Sequence, residues 1–260
     1  KEKSTFYHID FSFDELRLGG SAFAQSLNKV GSDVPTVQNP EYFRDAFLAI
    51  QDLINKGLIL AGHDISAGGL ITTLLEMCFA NMEGGMEINL DKINCDDIVK
   101  ILFAENPGIV IQVADKHKAE VKQILENAGV GYIKLGKPTE ERHILVTKDD
   151  ATYQFGIDYL RDVWYSTSYL LDRKQSMNGC AKKRFENYKQ QPVEFAFDPS
   201  FTGKLSQFGL NPDRRTPSGI KAAIIREKGT NGEREMAYIL YLAGFDVKDV
   251  TMTDLISGRE

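Results

Sequence analysis

A polar, glycine-rich turn in the first third of the chain could bind a phosphate group; its sequence is Gly62-His63-Asp64-Ile65-Ser66-Ala67-Gly68-Gly69. The turn follows the apolar run 58–61 and precedes the apolar segment 70–82, so the pattern predicts a strand, a turn and then a helix. A helix N-terminus carries unpaired backbone N–H groups and about half a positive charge. Glycine lets an anion approach the main chain closely, and the turn therefore favours a phosphate ligand.

Four residues of this turn are the candidate binding residues. Asp64 offers a hard oxygen ligand for a magnesium ion that bridges to the phosphate, and Ser66 offers a hydroxyl donor. Gly68 and Gly69 would allow the close approach. Because Mg²⁺ prefers octahedral coordination, one carboxylate is not enough, and the other ligands are expected from outside this chain.

Each candidate also has a structural interpretation. Asp64 could cap the helix by accepting backbone N–H groups, and the Ser66 hydroxyl could stabilise the turn. Gly68 and Gly69 could serve close packing of the chain without any ligand. We expect His63 on the opposite side of the strand end from Asp64, in an orienting hydrogen bond rather than as a catalytic base.

The segments around the turn predict an α/β (α+β) fold in which a mixed β-sheet packs against helices. Helical spacing or helix-ending signals occur over 40–56, 70–82, 96–104, 115–127 and 157–173, and strand patterns over 58–61, 86–90, 109–113, 144–146 and 152–155, the last two as a hairpin. Residues 182–219 lack a sustained period and predict a long connector. A strand, a helix and a strand follow at 220–226, 233–242 and 245–250. Such an incomplete βαβ unit cannot cover both faces of a parallel sheet, which indicates the beginning of a larger domain.

Charge and cysteine content exclude several classes of partner and site. The 260-residue chain has a formal net charge of -6 and no dense Lys/Arg block, which argues against nucleic acid as the main partner. Charges or glycines interrupt every long apolar stretch, so we expect neither a membrane span nor a secretion signal. The 3 cysteines are widely spaced and fit neither a disulfide framework nor a zinc site, which favours a reducing cytoplasm.

Four separated motifs resemble the phosphoribosylformylglycinamidine synthase family in its large single-chain form. Besides the glycine-rich turn, they are Glu105-Asn106-Pro107-Gly108, Leu160-Arg161-Asp162-Val163-Trp164, and the run 226–236 with Ala243-Gly244-Phe245. The resemblance implies that residues 1–172 are the C-terminal subdomain of the second half that is similar to aminoimidazole ribonucleotide synthetase. It further implies that 173–217 are a linker and 218–260 the truncated start of a class I glutamine amidotransferase domain.

The resemblance also implies an activity for the parent protein, which is a ligase of purine biosynthesis. With ATP and glutamine as amide donor, this ATP-dependent carbon-nitrogen ligase converts formylglycinamide ribonucleotide to formylglycinamidine ribonucleotide. Asp64 is implied to bind Mg²⁺ and Ser66 to contact ATP, with the remaining synthase and amidotransferase domains as partners that complete both substrate sites. The chain has Ala67 where the family generally has Asp, which affects a possible outer contact of the site.

No catalytic residue is expected within this chain. Family amidotransferases carry their nucleophilic cysteine in a turn between a strand and a helix, whereas Cys180 follows a predicted helix and precedes a basic run. The fragment alone is therefore expected to be inactive. The alternative is a non-catalytic nucleotide-binding or structural half that stabilises the intact synthase.

Overall fold

The chain folds into two units, Lys1–Gln191 and Pro192–Glu260, and the computed structural model describes residues 3–190 and 195–259. The first unit contains a seven-stranded sheet made of β1 (Ser4–Asp10), β2 (Ala61–Asp64), β3 (Gly85–Asn89), β4 (Gly108–Ala114), β5 (Ile133–Thr139), β6 (His143–Lys148) and β7 (Ala151–Gly156). The strand order is β2-β4-β1-β5-β3-β6-β7. Only β3 and β6 pair in parallel; the other neighbours are antiparallel. The expected mixed sheet is confirmed, and β6 and β7 form the expected hairpin.

The helices of the first unit are α1 (Ala22–Ser26), α2 (Pro40–Asn55), α3 (Gly69–Phe79), α4 (Ile98–Phe103), α5 (Lys118–Asn127), α6 (Ile157–Gln175) and α7 (Cys180–Glu186). The start of α2 follows the sequence signal. The Asn39 side chain accepts the backbone N–H groups of Glu41 and Tyr42, both at 3.1 Å, and Pro40 occupies the first turn. Gly57 follows the helix with a positive φ of 67°, a backbone conformation that glycine adopts without strain.

The central sheet separates two hydrophobic clusters. One includes Phe6 of β1 and Leu74 of α3, and the other includes Tyr7 of β1 together with residues of α2 and α5 such as Leu53. Successive side chains of a strand point to opposite faces, so β1 contributes to both clusters. Cys78 lies in the first cluster, where burial raises the pKa of its thiol to about 11.

The strand before the glycine-rich turn differs from its expected position. The apolar run 58–61 predicts the strand, but β2 comprises Ala61–Asp64 and pairs antiparallel with β4. Leu58 is buried in the second cluster just after α2, before the strand pairing begins. His63 and Asp64 therefore belong to the strand rather than to the turn. Strand β2 lies at the edge of the sheet and is largely exposed. Its position is therefore set by pairing with β4 and not by the burial of apolar side chains, which is the signal that the sequence pattern follows.

The second unit contains the expected strand, helix and strand, namely β8 (Lys221–Arg226), α8 (Glu233–Leu242) and β9 (Asp246–Thr251), followed by α9 (Met252–Ser257). Strands β8 and β9 pair in parallel, as a βαβ unit requires. Asp246 fixes the chain before β8: it accepts the backbone N–H of Ser218 and a bond from Arg214, which lower the pKa of its carboxyl to about 2. In the described part of the chain, no helix is long and apolar enough to cross a membrane.

Candidate functional site

The glycine-rich turn connects the end of β2 to the start of α3 in a fixed conformation. Residues 65–68 form the connection, in which the backbone N–H of Gly69 donates to the Ser66 carbonyl at 3.0 Å. The Thr73 hydroxyl lies 3.0 Å from the Asp64 carbonyl and 3.2 Å from the Gly69 carbonyl. Thr73 of α3 therefore contacts both ends of the connection.

The polar side chains of this turn face solvent. The Asp64 side chain is 75% exposed, and Ser66 is exposed as well. The N-cap residue of α3 is Gly68, and among the described residues no backbone N–H of the helix donates to the Asp64 carboxylate, so the alternative in which Asp64 caps the helix does not hold. The His63 ring lies beside the Asp64 carboxylate, with Nδ1 3.5 Å from Oδ1. Asp64 is thus free to bind a cation from the solvent side.

A second acidic residue, Glu105, contacts the backbone of the turn. Its Oε1 accepts the backbone N–H of Gly68 at 2.7 Å and that of Ala22, at the start of α1, at 2.8 Å. A carboxylate therefore already binds one amide of the kind that the sequence pattern offers to a phosphate. No signal in the sequence points to this role of Glu105, although the residue lies in the motif 105–108.

The next residue of that motif fixes a second segment of chain. Asn106 is buried, and its Nδ2 donates to the Ser12 hydroxyl at 3.1 Å and to the Glu15 carbonyl at 3.0 Å. Its Oδ1 accepts the backbone N–H of Arg17 at 3.3 Å. Residues 105–106 therefore tie the long segment between β1 and α2 to the glycine-rich turn.

Both glycines of the turn have a structural reason to be glycine. Gly68 has a φ of 91° and Gly69 a φ of 70°, a backbone conformation that residues with a side chain rarely adopt. A Cβ on Gly69 would lie 2.7 Å from backbone atoms of Leu102 and Phe103 in α4. Gly69 therefore allows α3 and α4 to pack closely, whether or not a phosphate is bound.

His63 begins a chain of polar contacts that leads away from Asp64. Its Nδ1 lies 2.8 Å from the Asp64 carbonyl, and its Nε2 lies 3.0 Å from Glu76 Oε2. The other carboxylate oxygen of Glu76 accepts the indole N–H of Trp164 at 2.8 Å. Strand β2, α3 and α6 each contribute one residue to this network. The motif 160–164 contains Trp164, but no signal in the sequence points to Glu76.

Asp64 can supply only part of a metal site. Among residues 3–190 and 195–259, no group of three or more His, Cys, Asp or Glu side chains is arranged to hold a metal ion. An exposed carboxylate fits a Mg²⁺ ion whose other ligands are phosphate, water or a residue outside this chain. Cys180 is exposed at the first position of α7, with no strand before it, so it lacks the setting of a nucleophile between a strand and a helix.

Two known families match parts of this chain. The family described as "AIR synthase related protein, C-terminal domain" matches residues 12–149, which include the glycine-rich turn and Glu105. The family described as "CobB/CobQ-like glutamine amidotransferase domain" matches residues 219–260, which contain the βαβ unit of the second unit.

The chain is also similar to curated proteins over nearly its whole length. It is 36% identical over 258 residues to the probable phosphoribosylformylglycinamidine synthase, chloroplastic/mitochondrial, of Arabidopsis thaliana, covering 96% of this chain and 18% of that protein. It is 34% identical over 256 residues to phosphoribosylformylglycinamidine synthase of Homo sapiens, covering 96% and 19%. The chain thus spans about a fifth of the length of these relatives. A solved structure described as T. maritima PurL complexed with ATP aligns with a TM-score of 0.48 and 13% identity, over 62% of this chain and 26% of that chain.

Proposed function

Since the chain belongs to the family of AIR synthase related proteins, through their C-terminal domain, we propose that it is part of a phosphoribosylformylglycinamidine synthase. The observation that carries this proposal is the 34 to 36% identity to proteins of that name over 96% of the chain. The intact protein would be an ATP-dependent carbon-nitrogen ligase that uses glutamine as amide donor and formylglycinamide ribonucleotide as substrate. The glutamine amidotransferase match at residues 219–260 supports glutamine as the source of ammonia.

We further propose that residues 1–172 form the synthase subdomain, 173–217 the linker and 218–260 the start of the amidotransferase domain. The partners of the chain are then the remaining synthase and amidotransferase domains, which complete the sites for ATP and formylglycinamide ribonucleotide. Three free cysteines, one of them exposed, favour a cytoplasmic setting.

In the intact protein the glycine-rich turn would form one wall of a nucleotide site. Asp64 would bind Mg²⁺ with its exposed carboxylate, and the exposed Ser66 hydroxyl would donate to an ATP phosphate. The N–H of Gly68 already donates to Glu105 and that of Gly69 to the Ser66 carbonyl. The two glycines would therefore contribute to the nucleotide site through their lack of a side chain, and not through their N–H groups. When bound, Mg²⁺ would neutralise charge on the transferred phosphoryl group.

A substitution of Asp64 in the intact synthase tests this proposal. Because Asp64 is exposed, D64N should leave the melting temperature unchanged while raising the Mg²⁺ concentration needed for half-maximal turnover by about tenfold or more. The control is D150N, which replaces an exposed aspartate in the turn between β6 and β7.

The alternative is a nucleotide site that stabilises the protein without turnover. It is favoured if D64N lowers the melting temperature in the presence of ATP and Mg²⁺ while turnover persists. Unchanged Mg²⁺ dependence and unchanged stability together would exclude Asp64 from any metal site. The 260-residue chain alone should show neither glutaminase nor synthase activity, since the described residues hold no complete site.

A further inference from the structure

A groove on the first unit is lined by an unusual number of lysines. It lies where β1, β3 and β5 meet the start of α5, and its volume is about 690 Å³, within the usual range of small-molecule sites. The lysines that line it are Lys3, Lys92, Lys118, Lys134 and Lys137. We call this feature the lysine groove.

Positive charge in the lysine groove exceeds negative charge. Its two carboxylates are each paired with a lysine: Lys118 Nζ lies 2.7 Å from Asp115 Oδ1, and Lys137 Nζ lies 3.1 Å from Glu87 Oε2. The other three lysines (Lys3, Lys92 and Lys134) make no ion pair with any described residue. Three positive charges thus remain in one concave surface of a chain whose net charge is -6.

An irregularity of β5 brings two of these lysines to the same face of the sheet. Tyr7 of β1 pairs with Lys134, but its neighbour Phe6 pairs with Gly136, so Leu135 is an extra residue in the strand. Residues 134 and 137 of a regular strand would point to opposite faces. The β-bulge at Leu135 places both side chains in the groove, the kind of re-aiming for which bulges are retained next to functional sites.

We propose that the lysine groove binds a small polyanion that carries phosphate. Lysine ammonium groups bind phosphate as point charges, and the volume of the groove is that of a small-molecule site. Among the described residues, no aromatic side chain lines the groove, and none there provides a platform for stacking a base. The groove lies near Ser4, at the opposite end of β1 and β4 from the Asp64 turn, where Asp10 pairs with Gly108. The proposal is therefore independent of the nucleotide site.

Titration of the 260-residue chain with inorganic pyrophosphate, followed by calorimetry at low ionic strength, tests the proposal. We expect binding that weakens as salt is added, because the Debye length falls to about 10 Å at 0.1 M. The triple variant K3Q/K92Q/K134Q should bind at least about tenfold more weakly, since each exposed pair contributes a factor of about two to five. K134Q alone should weaken pyrophosphate binding by a factor of about two to five. This single variant provides the test if the triple variant does not fold.

The matched control is K29Q/K174Q/K183Q, which removes three exposed lysines outside the groove and changes the net charge equally. The control should bind pyrophosphate as the unchanged chain does. Equal weakening in both triple variants would show a general charge effect and overturn the proposal. Absence of pyrophosphate binding would also overturn it, as would tighter binding of a poly-glutamate peptide that depends on the same three lysines.

Discussion

Glu105 accepts the backbone N–H of Gly68 at 2.7 Å, although the two residues are 37 positions apart. The same carboxylate oxygen accepts the N–H of Ala22 at 2.8 Å. One side chain therefore joins the start of α1 and the start of α3 to the segment between α4 and β4. This contact fixes the conformation in which the turn presents Asp64 and Ser66 to solvent.

Removal of the Glu105 carboxylate should destabilise the first unit. E105A leaves the partly buried N–H of Gly68 without its acceptor, which costs about 1–3 kcal/mol in the free energy of unfolding. E105Q keeps an acceptor oxygen and should cost less. Urea unfolding followed by far-UV circular dichroism measures both values. E140A replaces an exposed glutamate as the control, and equal stability of E105A and E140A would contradict the role of this contact.

Two glycines with similar φ angles allow the cost of backbone strain to be measured separately from the cost of lost helix packing. Gly69 has φ 70° and Gly129 φ 67°, but a Cβ would lie 2.7 Å from the α4 backbone at Gly69 and meet nothing within 4 Å at Gly129. G129A should therefore lower the free energy of unfolding only by the cost of placing alanine in the left-handed conformation, about 1–2 kcal/mol. G69A should cost clearly more, because α3 and α4 must also move apart. Urea unfolding of the two variants measures the difference, and similar costs would mean that Gly69 is not needed for packing.

Trp164 should report the state of the contact between α3 and α6. It is the chain's single tryptophan, and its indole N–H donates to Glu76 at 2.8 Å. E76A removes the acceptor, so we expect the emission of Trp164 to shift to longer wavelength as its ring becomes more solvated. E76Q keeps an acceptor for the indole but loses the charge opposite His63, and it should preserve the emission. A shift of equal size in E76Q would show that the charge of Glu76, and not its hydrogen bond to the indole, holds the contact.

His8 should make the stability of the first unit depend on pH. Burial lowers the pKa of His8, against a smaller opposing effect of Asp10, and its Nδ1 is sealed from solvent without a described partner. The unfolded chain then binds more protons than the folded one below about pH 6.5, so the free energy of unfolding decreases as pH falls from there toward the lowered pKa. H8Q should flatten this dependence in urea unfolding at several pH values. H117Q is the control, and parallel curves for H8Q and the unchanged chain would contradict the prediction.

Local signals were sufficient for much of the fold. The cap at Asn39 and the proline after it placed the start of α2, and the βαβ order of the second unit followed from apolar periodicity. Strands β1 and β5 were not predicted, and β2 was displaced by three residues, because pairing with distant strands defines these elements. The candidate residues Asp64 and Ser66 were found by type and spacing, and their roles as ligands stay predictions.

The sequence by itself determined the chemistry that is available in the turn, since a carboxylate, a hydroxyl and two glycines in succession are local properties. Only the tertiary structure decided which groups meet there: Glu105 binds Gly68, and Glu76 joins His63 to Trp164. It also decided that a bulge at Leu135 gathers lysines from β5 with others from distant segments. The physical reason is that these contacts depend on strand register and helix packing, which are fixed by residues far apart in the chain.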